Sequence, residues 1–314
     1  MMRKSTKLFF CASGIFISYF FYGIAQEKIT RGKFSIDGTT DKFTFSTSLV
    51  ALQCLANLLI ARVGVQLAGK TSSETPSHWY FMLSLTYIGA MTASNKALIF
   101  INYPEQVLGK ACKPIPVMIL GALIGGKRYS LTKYLSVLLI VFGIVVFMLY
   151  KTRSEHTFKA NFGIGELLLL ISLASDGITG AIQDKMRARA NVGGYEMMYH
   201  TNFYSTILLL IMVSFGDGLE FISFCSRHPS LYWYVLGFCI TSAIGQSFIF
   251  ECISAFGPLT CALITTTRKF FTILFSVIIF SNKLVTQQWI GVLLVFAGLF
   301  ADAFFGKKKT PILK

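Results

Sequence analysis

The sequence predicts an all-α membrane protein of ten transmembrane helices, built as two five-helix repeats of inverted orientation. Composition is the first reason. The 314 residues are 54% hydrophobic and only 14% charged, whereas a soluble domain carries about 25% charged residues. The second is that the chain divides into apolar runs, most of them long enough to cross a hydrocarbon core of about 30 Å. The third is an internal similarity between the two halves.

The runs follow in order. Residues 8–24 are as short as a signal-peptide core, but Gln26-Glu27-Lys28-Ile29 offers no small-residue cleavage site, so this is an uncleaved first span. Residues 43–67 and 79–100 come next, the latter carrying Ser94, Asn95 and Lys96 towards its end. Residues 104–124 open on Pro104 and contain Lys110, Lys113, Pro114 and Pro116. Residues 131–150 are largely aliphatic, and residues 162–180 carry Asp176 at depth. Residues 197–215 and 231–253 precede residues 258–280, which open on Pro258 and hold Thr265, Thr266, Thr267, Arg268 and Lys269. Residues 288–305 complete the set.

A net charge of +15 invites a nucleic-acid reading, but the distribution of charge argues against it. With both termini on one side, the N-terminal tail, the even-numbered loops and the C-terminal tail hold fifteen of the 29 Lys and Arg residues, against nine in the odd-numbered loops. The positive-inside rule then puts both termini in the cytosol. The remaining five, Lys96, Lys110, Lys113, Arg268 and Lys269, lie inside apolar runs.

Enzyme chemistry finds no support. The seven cysteines include no Cys-x-x-Cys, and six sit in apolar runs as small hydrophobes. His78, His156, His200 and His228 lack metal-ligand spacing. No nucleophile elbow or catalytic carboxylate pair occurs, so neither a metal nor a cofactor is expected. Gly121-x4-Gly126-Lys127-Arg128 nearly matches a phosphate-binding loop, but Arg128 stands where Ser or Thr must reach the metal, and an apolar span precedes it in place of a strand.

The halves match at polar positions, which are scarce here. Gly23-Ile-Ala-Gln26-Glu27-Lys28 parallels Gly180-Ala-Ile-Gln183-Asp184-Lys185. Leu138-Leu-Ile-Val-Phe-Gly143 parallels Leu293-Leu-Val-Phe-Ala-Gly298, and the same register sets Lys113 on Arg268 and Tyr134 on Trp289. Residues 1–155 and 156–314 are therefore the expected repeats. Five spans per repeat invert the second half and put a binding site near the midplane. Depth agrees: Lys113 and Arg268 follow their opening prolines by about ten residues, roughly 15 Å along a helix.

A cation at that depth costs roughly 2.5–3.5 kcal/mol on insertion scales and is retained where it faces a cavity and meets an anion. Lys110 and Lys113, three residues apart, share a helix face. Pro114 and Pro116 deprive the Lys110 and Cys112 carbonyls of their usual partners and break the helix, as suits a cavity wall. The guanidinium of Arg268, the ammonium of Lys269 and the hydroxyl of Thr265 suit phosphate oxygens, although threonines also bond back to their own helix. Lys96 joins the candidate site, or pairs with Glu105 or Glu251. Asp176 is placed to pair with a site cation until substrate displaces it. Glu27, Lys28, Asp184 and Lys185 are candidate gates at opposite membrane faces. Tyr19, Tyr22, Tyr87, Tyr103, Tyr199 and Tyr204 are weaker candidates to stack on a base.

Leu108-Gly-Lys-Ala-Cys-Lys-Pro-Ile-Pro-Val-Met118 and Thr265-Thr-Thr-Arg-Lys-Phe-Phe-Thr-Ile-Leu274 resemble the nucleotide-sugar transporters of solute carrier family 35, subfamily B. Tyr22-Gly-Ile-Ala-Gln-Glu-Lys-Ile-Thr-Arg-Gly32, Asp176-Gly-Ile-Thr-Gly180 and Gly245-Gln-Ser-Phe-Ile-Phe250 are similar to its endoplasmic-reticulum branch of ATP/ADP exchangers and UDP-galactose transporter homologues. The resemblance implies a drug/metabolite-transporter fold, nucleotide antiport, and phosphate contacts from Lys110, Lys113, Arg268 and Lys269. Residence in the endoplasmic reticulum is implied by it alone, because Thr310-Pro-Ile-Leu-Lys314 lacks the dilysine spacing of a retrieval signal. Exchange of ATP for ADP is the leading expectation, since four cations suit a di- or triphosphate. Exchange of UDP-galactose or UDP-glucose for UMP is the alternative. A membrane enzyme acting on a phospho-lipid donor is a remote third and lacks a base or metal site. A non-transporting scaffold has no use for cations at the midplane of both halves.

Overall fold

The computed structural model describes residues 4–32, 34–36, 39–41, 43–68, 75–97, 100–101, 106, 109–153, 163–190, 192–279 and 286–305. In chain order they form α1 (Lys4–Arg31), β1 (Phe34–Ile36), β2 (Thr39–Asp41), α2 (Ser46–Ala68), α3 (Ser77–Ala97), α4 (Pro114–Leu123), α5 (Leu131–Arg153), α6 (Ile164–Arg189), α7 (Gly194–Ser214), α8 (Gly218–Arg227), α9 (Leu231–Phe256), α10 (Pro258–Ile279) and α11 (Thr286–Phe305). Several helices, α5 above all, are rich in Val and Ile, which favour strands in water. Lipid removes that option, because an isolated strand leaves its backbone groups without partners whereas a helix pairs them internally.

Among the described residues, Lys4–Thr30, Ser46–Leu67, Ile164–Arg189 and Leu231–Phe256 are each long and apolar enough to cross a membrane. The pair α7 and α8 also qualifies, bent by 85° at the break between them. Large apolar side chains point outward along these and other helices: Phe9 is 75% exposed, Leu67 83% and Leu293 67%. Water would make such surfaces an aggregation liability. Against lipid they are the natural exterior of a multi-pass membrane protein.

The chain forms two compact units, each drawing on both halves of the sequence. The first comprises Met1–Leu85 and Ala190–Phe256, the second Thr86–Arg189 and Gly257–Lys314, so the division falls within α3. The expected repeats, residues 1–155 and 156–314, are a division by chain order, whereas these units are defined by contact.

In the first unit α1 packs on α9 and α2 on α7, with α9 also touching α2 and α7. One of its core clusters is aromatic, joining Phe34, Phe43, Phe45, Phe224 and Phe238 to Ile29 and Leu231. The hairpin of β1 and β2, with Phe34 opposite Asp41, contributes to this cluster. Asp41 then meets Arg227 at 3.4 Å and His228 Nε2 at 3.3 Å.

In the second unit α5 and α11 lie closest, and glycine permits it. A Cβ on Gly143 would stand 2.8 Å from both the Gly291 carbonyl oxygen and the Val295 nitrogen, and one on Gly298 would stand 3.0 Å from the Ile140 nitrogen. Gly143 and Gly298, which sequence matching pairs, thus serve the same contact. Val137, Ile140, Ile144 and Phe147 from α5 share a core with Val292 and Val295 from α11, Val117 and Met118 from α4, and Leu259, Leu263 and Phe270 from α10.

Two expected boundaries shift. The helices of the first and sixth runs continue to Arg31 and Arg189, so Glu27, Lys28, Asp184 and Lys185 are helical and lie beyond the apolar stretch. Apolar length decides where lipid ends, but the hydrogen-bond ladder runs on until something stops it. Just past the end of α1, Gly32 lies where a Cβ would collide with the Lys28 carbonyl.

Candidate substrate site

The two prolines shape the first wall of the site. Neither has an N–H, so the carbonyls of Lys110 and Cys112 lose their four-residue partners. The chain answers by tightening. Lys113 N donates to the Lys110 carbonyl at 3.3 Å, and Ile115 N donates to the Cys112 carbonyl at 3.0 Å. The expected break is present as a turn at Cys112 and Lys113, yet both carbonyls are satisfied through three-residue bonds. α4 starts at Pro114, a position that suits proline because the first helical N–H has no intrahelical partner.

Lys110 and Lys113 converge on Asp176 of α6, one carboxylate oxygen each. Lys110 Nζ lies 2.7 Å from Oδ2, and Lys113 Nζ lies 2.9 Å from Oδ1. Lys110 Nζ also donates to Ser172 Oγ at 2.5 Å. Ser172 donates in turn to the Ala90 carbonyl of α3, which leaves its lone pairs facing the lysine. Ser172 and Asp176 are four residues apart and share a helix face. Gly177 allows α6 to come this close: a Cβ there would stand 2.9 Å from the Pro116 carbonyl and 2.7 Å from Leu120 Cδ1.

α10 packs on α4 and α6 in the same unit. Leu259, Ala262, Leu263, Thr266 and Phe270 are its buried stripe, which turns Thr265, Arg268 and Lys269 onto a shared, half-buried face. The charges acting on Lys269 are Lys113, Arg268 and Lys110, which repel it, and Asp176, which attracts it. Thr265 donates to the carbonyls of Cys261 and Ala262, both at 3.0 Å, so its proton is already committed to its own helix. Thr267 Oγ1 is buried without a hydrogen-bond partner among the described residues.

The other candidates have their own surroundings. Lys96 is exposed near the end of α3. Glu251, one of its two expected partners, pairs with Lys7 at 2.5 Å; the other, Glu105, lies outside the described residues. Glu27 and Lys28 are exposed on α1, and the Lys28 ammonium sits 5.4 Å from the centre of the Tyr234 ring.

Asp184 is in a different situation. It is 1% exposed, and its Oδ1 is shared by Lys127 at 3.0 Å and Arg187 at 3.4 Å. Neighbouring Lys185 is half-buried and forms no ion pair among the described residues. Glu27 and Asp184, paired by sequence matching, therefore differ in exposure. Lys127, from the segment that mimics a phosphate loop, is an ion-pair partner of Asp184. The turn that delivers it contains Gly126 at φ +68.

Several tyrosines are engaged in packing. Tyr22 stacks on Phe238 with ring centres 4.6 Å apart, and Tyr204 meets Phe81 edge-on at 5.8 Å. Tyr103 lies outside the described residues. Sequence reasoning passed over Ser172, although its four-residue spacing from Asp176 was visible, and it passed over Gly177, whose role depends on a helix approach that no spacing reveals.

The chain matches the family model described as UAA transporter family over residues 7–305. It is 51% identical to solute carrier family 35 member B1 of Gallus gallus, over 96% of this chain and 94% of that one. The corresponding homologue of Drosophila melanogaster is 44% identical, over 95% and 90%. One crystal structure, only 12% identical, shares the fold with a TM-score of 0.69 over 96% of this chain and 98% of its own. These relations make the chain a membrane transporter and not an enzyme. It belongs to the UAA transporter family, beside the subfamily B members of solute carrier family 35.

Proposed function

We propose that the chain is an antiporter of the endoplasmic reticulum membrane that exchanges ATP for ADP by alternating access. The observation that carries this reading is the convergence of Lys110 and Lys113 on one carboxylate, beside a helix that turns Arg268 and Lys269 to a shared face. A carboxylate bridging two ammonium groups occupies them much as two phosphate oxygens would. Arg268 adds a planar fork and Lys269 a point charge. Four cations suit a di- or triphosphate chain, and Lys96 and Thr265 are secondary contacts. Exchange follows from electrostatics, because closing an empty site around clustered cations requires dehydrating charges that lack full compensation.

The same reading has ten membrane-spanning helices in a 5+5 inverted repeat, with both termini cytosolic. Support comes from described helices on each of the ten expected apolar runs, and from the matched Gly143 and Gly298 at one helix contact. Glu27, Lys28, Asp184 and Lys185 act as gates in it. A second reading, UDP-galactose or UDP-glucose exchanged for UMP, uses the same cations on a shorter phosphate chain. The similarity of residues 108–118 and 265–274 to nucleotide-sugar transporters favours it.

Thermal unfolding of the detergent-purified protein separates these readings, since a ligand that binds only the folded state raises the midpoint. ATP and ADP are expected to raise it more than UDP-galactose and UMP. The reverse order selects the sugar-nucleotide reading, and no response to any of the four contradicts both.

A further inference from the structure

We infer that Asp176 is a displaceable internal anion, holding Lys110 and Lys113 in the place that substrate phosphate takes and thereby setting both the affinity and the speed of exchange. The inference rests on the phosphate-site reading above and adds the competitor to it.

Four observations support it. Each carboxylate oxygen serves a different lysine, at 2.7 and 2.9 Å. An incoming anion therefore competes with Asp176 for both ammonium groups. The Lys113 side chain is 37% exposed while that of Asp176 is 11% exposed, so the cation is reachable when its partner lets go. Ser172 accepts from Lys110 while donating to the Ala90 carbonyl, and so keeps a lone pair on that lysine whichever anion is present. Finally, Lys113, Arg268 and Lys110 repel Lys269 while Asp176 attracts it, so the carboxylate and an arriving phosphate act on the same group of cations.

A carboxylate with a purely structural role would behave differently on removal. Asp176→Asn keeps the shape and deletes the charge. Without a competitor, phosphate binds more tightly and leaves more slowly. In proteoliposomes carrying the full chain, the KM for ATP in exchange against internal ADP should fall about tenfold, the scale of one charge-assisted contact, and the maximal rate should fall with it. An unchanged or raised KM overturns the inference. Wild-type vesicles that exchange no nucleotide overturn the functional reading itself, so the two failures are distinct. If D176N does not accumulate as folded protein, infrared difference spectra of the wild type with and without ADP take its place. Displacement predicts a shifted carboxylate stretch, and a spectrum without any carboxylate band overturns the inference.

Discussion

Replacing both Lys113 and Arg268 with alanine is expected to lower nucleotide exchange by about a hundredfold or more while the protein still folds. A hydrogen bond to a charged group contributes roughly 1.5–3 kcal/mol, or about 10- to 150-fold in an equilibrium constant. On the proposed reading the two residues, from different segments of the chain, contact different parts of a phosphate chain, so even partial coupling between them leaves a large combined loss. Folding should survive. Asp176 keeps Lys110 as a partner at 2.7 Å, and the α10 core residues Leu263 and Phe270 are untouched. The readout is the exchange rate in proteoliposomes, beside a size-exclusion profile and thermal midpoint close to wild type. Normal exchange by the double variant removes these residues from the site.

Asp184→Ala is expected to act on stability. Asp184 is 1% exposed and shared by Lys127 and Arg187. Removing one member of a buried ion pair, here the acid that Lys127 meets at 3.0 Å, costs roughly 3–5 kcal/mol. The loss should appear as a clearly lowered unfolding midpoint in detergent. Glu27→Ala, at the position that sequence matching pairs with Asp184, should stay within about 0.5 kcal/mol, because its side chain is exposed and such substitutions are usually mild. Equal effects at the two positions would contradict the difference in environment. Together the variants separate the relatedness of the two segments from their present roles.

Much of this was legible in the residues. An acid in the middle of an apolar run must find a cation, and the nearest runs of cations were Lys110/Lys113 and Arg268/Lys269; Asp176 does meet the first pair. Prolines at 114 and 116 remove two donors, so the break could be placed within a residue or two. What escaped detection depended on approach between distant segments. The hairpin has two strands of three residues each, too short for alternation to register, and it forms where Phe34 finds the Phe224 cluster. α8 was hidden because Gly216, Gly218, His228 and Pro229 bracket only ten helical residues, which reads as a loop. Thr265 shows the limit at the level of one atom. Its identity suits a phosphate, but the direction of its proton, back to Cys261 and Ala262, belongs to the folded helix.

The compact units teach the same lesson at larger scale. The pairings of α1 with α9 and α2 with α7 cross the halves of the sequence, and nothing in periodicity announces which helix will pack on which. Sequence matching pairs Gly143 with Gly298, and both lie at the contact of α5 with α11, whereas the packing partners had to be seen.

The central claim is that the clustered cations make this chain an exchanger of nucleotide phosphates. Uptake of labelled ATP into proteoliposomes, loaded with ADP or left without internal nucleotide, tests it most directly. The account predicts rapid uptake into ADP-loaded vesicles and little into empty ones. Equal uptake in both, or none in either, contradicts it.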